Sequence, residues 1–225
     1  MGIKIKVLYE DNYVIVFDKP SGTLVIPAPG HDNNATLTHV VNKQYASVQG
    51  YRLHPCHRLD KETSGVIIYA KGKKNQKMMR DIFHERGVKK KYIAFVKGHI
   101  KKKKGQVKSF IVAHPKAKLG KRRKMAMTAY KVIREFRGFS MVEASPHTGR
   151  THQIRIHFRQ LGHPLLGERI YAYRKDFQVD FKRLALHAQA IAFKHPVMKK
   201  NISVRSQLPK DMVGFLKGFG YSTSR

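Results

Sequence analysis

Residues 128–146 read TAYKVIREFRGFSMVEASP. Apolar and polar side chains alternate on both sides of Arg137-Gly138, and the glycine supplies the turn. A period of two puts one row of side chains on each face of a strand, so the segment predicts a β-hairpin. The pattern recurs towards both ends of the chain. Residues 3–22, IKIKVLYEDNYVIVFDKPSG, alternate around Asp11-Asn12 and close on Lys19-Pro20-Ser21-Gly22. Residues 183–196, RLALHAQAIAFKHP, and 201–209, NISVRSQLP, pair around a proline-containing turn. VIIYAK (66–71), KKYIAFVKG (90–98) and residues 106–113 add three more strands, with KKKKG (101–105) as a charged turn.

Helical spacing is the minority signal. It runs through Leu37, Val40, Val41 and Tyr45 within 35–48, and through Met78, Met79, Ile82 and Phe83 before a stop at Gly87. It returns in THQIRIHFRQLG (151–162), which ends at Gly162 with Pro164 beyond, and in the short segment 209–220. Residues 114–127, HPKAKLGKRRKMAM, have no period and read as a mobile basic loop. Strands outnumber helices and come mostly as hairpins. The expectation is an α+β fold with a mixed, largely antiparallel central sheet flanked by helices and loops. No repeat and no Ser/Gly/Pro linker divides residues 1–225, so one domain is expected, large enough to bury on the order of 70% of the unfolded surface.

The charge is far from balanced: 46 Lys and Arg against 14 Asp and Glu, a formal net charge of +32. Self-repulsion of that size calls for a polyanionic partner, and nucleic acid fits best. The single cysteine, Cys56, rules out an intrachain disulfide and fits a reducing compartment. No stretch reaches the about 18 apolar residues of a membrane span, and the first twenty residues lack a signal-peptide pattern. A cytoplasmic protein with no membrane partner is expected.

Against that basic background, Asp60 in HRLDKETSG (57–65) stands out. It precedes a strand and adjoins a Ser-Gly turn, the kind of position where rigid scaffolds carry reactive groups. Its plain structural role would be to cap the turn through the amides of Glu62 or Thr63. Beside RNA it needs a cationic partner, which would keep it ionised. It could then serve as metal ligand, general base or nucleophile. No second Asp or Glu lies at ligand spacing, and His152 and His157 are five apart, unlike the pair in a zinc protease helix. No metal and no small-molecule cofactor is expected, and no Walker loop or GxGxxG is present.

The second constellation is HTGRTHQIRIHFRQLGHPLLG (147–167). Gly149 permits close approach of the backbone, and Thr148 and Thr151 at a helix start suit a phosphate. His152, Arg155 and Arg159 share one helical face, with Ile154, Phe158 and Leu161 on the other. The plain reading is a solvated basic face. The functional reading turns one arginine inward to hold a carboxylate while others meet phosphate.

Taken together these segments resemble the RluA family of RNA pseudouridine synthases. His57-Arg58-Leu59-Asp60 with Thr63-Ser64-Gly65 matches the family signature HRLDxxTSG. LYEDNYVIVFDKPSG, KKKYIAFVKG, HTGRTHQIRIHFRQLGHPLLG and RLALHAQAIAFKHP match four further motifs in order, over residues 7–209. The resemblance implies that Asp60 is the catalytic aspartate, Arg155 its partner and Tyr92 the aromatic that packs on the target base. It places Arg58 near the flipped nucleotide, makes Leu186 or Leu184 a pocket-lining residue, and puts His57, Thr63, Arg150 and His152 on the RNA side of the site. GERIYA departs from the family's usual GD and YG; Glu168 is expected to alter local hydrogen bonding without changing the chemistry. The chain begins too close to the first motif for a separate N-terminal RNA-binding module, so RNA capture is expected from its own surface, as a monomer.

The implied reaction detaches uracil from ribose at nitrogen 1 and rejoins it at carbon 5, on a base flipped out of structured rRNA or tRNA. Asp60 would act as nucleophile on the anomeric carbon or as base on the 2′ proton. A non-catalytic RNA-binding protein and a metal-dependent nuclease are the competing readings.

Overall fold

The computed structural model describes residues 4–30, 32–46, 50–112, 123–173, 175 and 177–221. The chain forms two compact units. The first holds residues 1–89 and 188–207, the second residues 90–187 and 208–225.

In the first unit β1 (Lys6–Glu10), β2 (Val14–Lys19) and β4 (Ser64–Lys71) pair antiparallel in sequence, with β3 (Leu53–Pro55) also antiparallel to β4. β9 (Leu186–Lys194) lies beside β4 and carries β10 (Asn201–Arg205) antiparallel on its far side. VIVF and VIIYA are almost unbroken apolar runs because both faces are covered. Val14, Val16, Val66, Ile68 and Ala70 pack with Met79 of α2 (Lys73–His84), while Ile82 and Phe83 close the cluster. On the other face Phe17 meets Tyr69 edge-on at 5.6 Å and Tyr45 at 5.3 Å. Phe17 and Tyr69, both fully buried, contribute about 1.5–3 kcal/mol each.

The helix expected over 35–48 is broken into three. A 3-10 turn (Asn33–Ala35) leads into α1 (Leu37–Val41), and a wider π turn follows over Asn42–Ala46. Asn42 explains the widening. Its side-chain nitrogen donates to the carbonyls of Thr38 (2.8 Å) and Leu53 (3.0 Å), and its oxygen accepts from the Leu53 amide (2.8 Å). The helix is thus tied sideways to β3 at this residue.

In the second unit β5 (Val88–Lys97), β8 (Phe139–Pro146), β7 (Lys124–Phe136) and β6 (Lys104–Ile111) follow in that order, each pair antiparallel. The 128–146 hairpin forms as expected, turning at Gly138 with φ 85°. One face packs Ala94, Val96, Val132, Val142 and Ala144 against Ile154 and Phe158 of α3 (Gln153–Gln160). The other packs Ile93, Phe95, Phe139 and Met141 against Met212 and Leu216 of α4 (Lys210–Lys217). β7 begins at Lys124, so the loop expected over 114–127 is strand in its last four residues; 114–122 lie outside the described residues. The molecule is α+β, with its strands mixed and largely antiparallel. Among the described residues no helix is long and apolar enough to cross a membrane.

One buried histidine couples this fold to pH. His157 is fully buried in α3, its Nδ1 2.8 Å from Thr128 Oγ1, and burial pushes its pKa down to about 4. Unfolded, it would bind a proton near pH 6.5. Its contribution is therefore complete above pH 6.5 and is lost as pH falls towards 4, with a slope of up to about 1.4 kcal/mol per pH unit. Urea midpoints measured from pH 7 to 4 should show a shallower acid limb in His157→Gln than in the parent.

Candidate active site

The loop before β4 is pinned from beneath. Lys19, at the end of β2, is 1% exposed. Its Nζ donates to the carbonyls of Pro20 (2.9 Å), Lys61 (3.0 Å) and Thr63 (2.8 Å). Ser21 Oγ donates to the Glu62 carbonyl (2.6 Å), and the Gly22 amide to that of Lys61 (2.9 Å). The KPSG and HRLDKETSG motifs are thus one object: the first grips the main chain of the second at three successive residues. Burying an ammonium is costly unless its donors are met, and three carbonyls meet them.

The turn itself closes through the backbone, the Thr63 amide reaching the Asp60 carbonyl at 3.1 Å. Gly65 follows at φ 107°, and a Cβ there would fall 2.2 Å from the Ala188 carbonyl oxygen, so glycine is required for β4 to lie against β9. Upstream, the Cys56 amide donates to the Ile68 carbonyl (3.0 Å) and His57 Nε2 accepts from the Ile68 amide (3.1 Å). The His57 ring packs on Phe83 at 4.8 Å. Cys56 and Leu59 point inward, and burial raises the Cys56 thiol to about 12, which makes it unreactive. Arg58 is left exposed and Asp60 half-buried. Thr63 is buried, and its hydroxyl has no hydrogen-bond partner among the described residues.

The arginine motif is built around Gln153, the first residue of α3. Its Oε1 accepts from Thr148 Oγ1 (2.6 Å) and the Arg150 amide (3.1 Å). Its Nε2 donates to the Met127 carbonyl (2.9 Å) and Thr128 Oγ1 (2.9 Å). Thr148 is therefore a buried strut and not the phosphate ligand expected of it; its hydroxyl also accepts from the Met127 amide (3.1 Å). Arg150 is exposed. His152 sits in the left-handed region at φ 54°, with Nδ1 2.9 Å from the Tyr171 hydroxyl. Lys90 lies under this loop and donates to the Thr148 carbonyl (3.2 Å); burial lowers its pKa to about 8.

Arg155 is not on a solvated face. It is 6% exposed, and its Nε and Nη2 donate in parallel to the two oxygens of Glu168, each at 2.7 Å. Glu168 Oε1 accepts further from the amides of Ile170 (2.8 Å) and Tyr171 (3.3 Å). Burial pushes this carboxyl up, but Arg155 and the two amides outweigh it and hold it below the usual carboxylate range. The Tyr171 ring lies 5.4 Å from the guanidinium carbon. Gly167, at φ 71°, makes the turn possible: a Cβ there would sit 1.8 Å from the Arg183 carbonyl oxygen. GERIYA is therefore the cradle of Arg155. Tyr92 of β5 and Leu186 of β9 pack in the same apolar cluster as Ile154 of α3, and Leu184 is buried with them.

The second unit thus gathers Arg155, Tyr92, Leu186, Arg150 and His152, and the first carries Asp60, His57, Arg58 and Thr63. Lys19, Gln153, Glu168 and Tyr171 complete these settings without having been singled out as site residues. Glu168 had the signal that marked Asp60, an acid held inside a basic segment. No cluster of three or more His, Cys, Asp or Glu suited to a metal occurs among the described residues.

A basic α+β chain with a pinned aspartate loop and a cradled arginine has clear relatives. Residues 13–160 match the RNA pseudouridylate synthase family, and the chain belongs to that family, within its RluA branch. It is 37% identical over 196 residues to the dual-specificity RNA pseudouridine synthase RluA of Yersinia pestis, covering 84% of this chain and 92% of that one. It is 34% identical to the ribosomal large subunit pseudouridine synthase D of Nitrosomonas europaea, covering 96% of this chain but only 65% of that relative's length. Among solved structures it resembles human RNA pseudouridylate synthase domain containing 4, with a TM-score of 0.79 at 25% identity over 97% of this chain and 94% of that one.

Proposed function

We propose that this chain is an RNA pseudouridine synthase, an isomerase that converts uridines of structured rRNA or tRNA. The reading is carried by the aspartate loop, whose main chain Lys19 and Ser21 hold at residues 61, 62 and 63 in a chain of this family. A loop fixed that firmly, in so basic a protein, suits a carboxylate that must meet one ribose carbon among many phosphates. The names of the relatives add ribosomal RNA as a substrate class.

In this reading both units act as one catalytic domain, as a cytoplasmic monomer, without metal or small-molecule cofactor. The target uridine leaves its stack, at a cost of a few kcal/mol, and phosphate contacts to Arg58, Arg150 and His152 offset it. His57 and Thr63 shape the loop that receives it. Tyr92 covers the base and Leu186 lines the apolar pocket. Asp60 then acts on the sugar as nucleophile or base, with Arg155 as its cationic partner. Glu168 occupies the Nε–Nη2 edge of that guanidinium. The N1–C1′ bond breaks, the C5–C1′ bond forms, and the proton at carbon 5 is exchanged to solvent while N1 gains one. No redox partner is needed.

The test is RNA labelled with tritium at uracil carbon 5, taken from cells lacking this protein and incubated with chelator. Tritium release from intact RNA is the expected result. Binding without release would leave a non-catalytic RNA-binding protein, and strand cleavage would mean a nuclease.

A further inference from the structure

The outer face of the β6–β7 hairpin carries side chains that folding does not explain. Strand alternation places Lys104, Gln106, Lys108 and Phe110 on one side of β6. Opposite them in register stand Lys131, Ala129, Met127 and Met125 of β7. The inner side, with Tyr130, Val132 and Val107, belongs to the core under α3. Phe110 is 59% exposed and touches no other ring among the described residues. Lys104 lies directly across from Lys131, a like-charge pairing that destabilises a hairpin. None of Lys104, Lys108 and Lys131 has a carboxylate at ion-pair distance among the described residues, whereas nearby Lys103 and Lys91 are paired with Glu135 and Glu143. Lysines alone would protect an edge strand; an exposed phenylalanine at its end does the opposite.

We infer that this face is a docking strip for an unpaired segment of RNA, one base stacking on Phe110 and the backbone running along Lys108, Lys104 and Lys131. The inference rests on the RNA-modifying reading and adds to it where the substrate is gripped away from the aspartate loop. The chemistry fits in three respects. Every base has a face that can stack on an aromatic ring, and half-buried Met125 and Met127 offer a polarisable floor beside it. Side chains on one side of a strand recur about every 6.8 Å, close to one nucleotide of an extended chain. Ser109 Oγ, on the inner side, donates to Gln160 Oε1 of α3 at 2.9 Å, which holds the edge strand in place as a platform. A duplex has no free base face and gains only from the lysines.

The experiment uses the full chain with a fluorescein-labelled 12-nucleotide oligouridine and a 12-base-pair RNA duplex, read by anisotropy across a salt series. Phe110→Ala should weaken oligouridine binding about tenfold and leave the salt slope and duplex binding unchanged. Phe110→Tyr should bind like the parent. Lys104→Ala with Lys131→Ala should lower the slope of log Kd against log salt by about 1.4. Unchanged oligouridine binding in Phe110→Ala, or an equal loss on the duplex, would overturn the strip. So would self-association of the parent that Phe110→Ala abolishes with RNA affinity intact, since the patch would then serve a protein. Tritium release run on the same preparations separates the two readings. Release with Phe110-independent binding removes the strip alone, and Phe110-dependent binding without release removes the isomerase alone.

Discussion

Asp60→Asn should lower tritium release by about 10⁴-fold or more while leaving the affinity for RNA within about threefold of the parent. The substitution keeps the size and planarity of the side chain and removes only its charge and basicity. The loop around it is held through the carbonyls of residues 61, 62 and 63, none of which involves the Asp60 side chain. Its turn closes on the Asp60 main-chain oxygen. The fold should therefore survive, and urea midpoints should confirm that. With one anion fewer in a basic surface, any change in RNA affinity should be towards tighter binding. A variant that retains more than about 1% of the parent rate would remove Asp60 from the chemistry.

The second large effect belongs to Glu168. Glu168→Ala removes the acceptor of two Arg155 donors and of two backbone amides, in a setting where the carboxylate side chain is fully buried. Breaking one side of such a buried pair costs on the order of 3–5 kcal/mol. The loss should appear as a lower urea midpoint together with a collapse of tritium release, because the guanidinium would no longer be aimed. Glu168→Asp keeps the charge but falls one methylene short. It should recover most of the stability and a measurable rate. If Glu168→Ala were as stable as the parent, the bidentate pair would not be what holds Arg155. The pair also gives a pH dependence: Glu168 titrates below the usual carboxylate range, so its contribution stands above about pH 4.5 and disappears as pH falls through its lowered value.

The strand framework was legible because period-two alternation is local. The hairpins at 6–19 and 124–146 need only residues that neighbour each other in sequence. The α3 face was only half legible for the opposite reason: an inward arginine holding a carboxylate is one of its two readings, but spacing does not say which carboxylate. Spacing put Arg155 with Arg159 on a basic face, yet the partner that buries Arg155 comes 13 residues later, from a turn without periodicity. Thr148 suffered likewise, since its bond to Gln153 depends on how 147–153 folds back on itself. The break in the 35–48 helix follows from Asn42 reaching Leu53, a contact that helical periodicity cannot register. Asp60, by contrast, stands out because acids are scarce here, and Glu168 stands out as a departure in GERIYA, though which partner it holds does not show in the sequence.

The grip of Lys19 and Ser21 on the aspartate loop has an evolutionary corollary. Both side chains read carbonyl oxygens, which every amino acid supplies, so this grip does not depend on which side chain occupies position 61. Position 61 can therefore be exchanged to suit a different RNA contour while the neighbouring carboxylate keeps its aim, and a library randomised there should yield altered target preference more often than inactive protein.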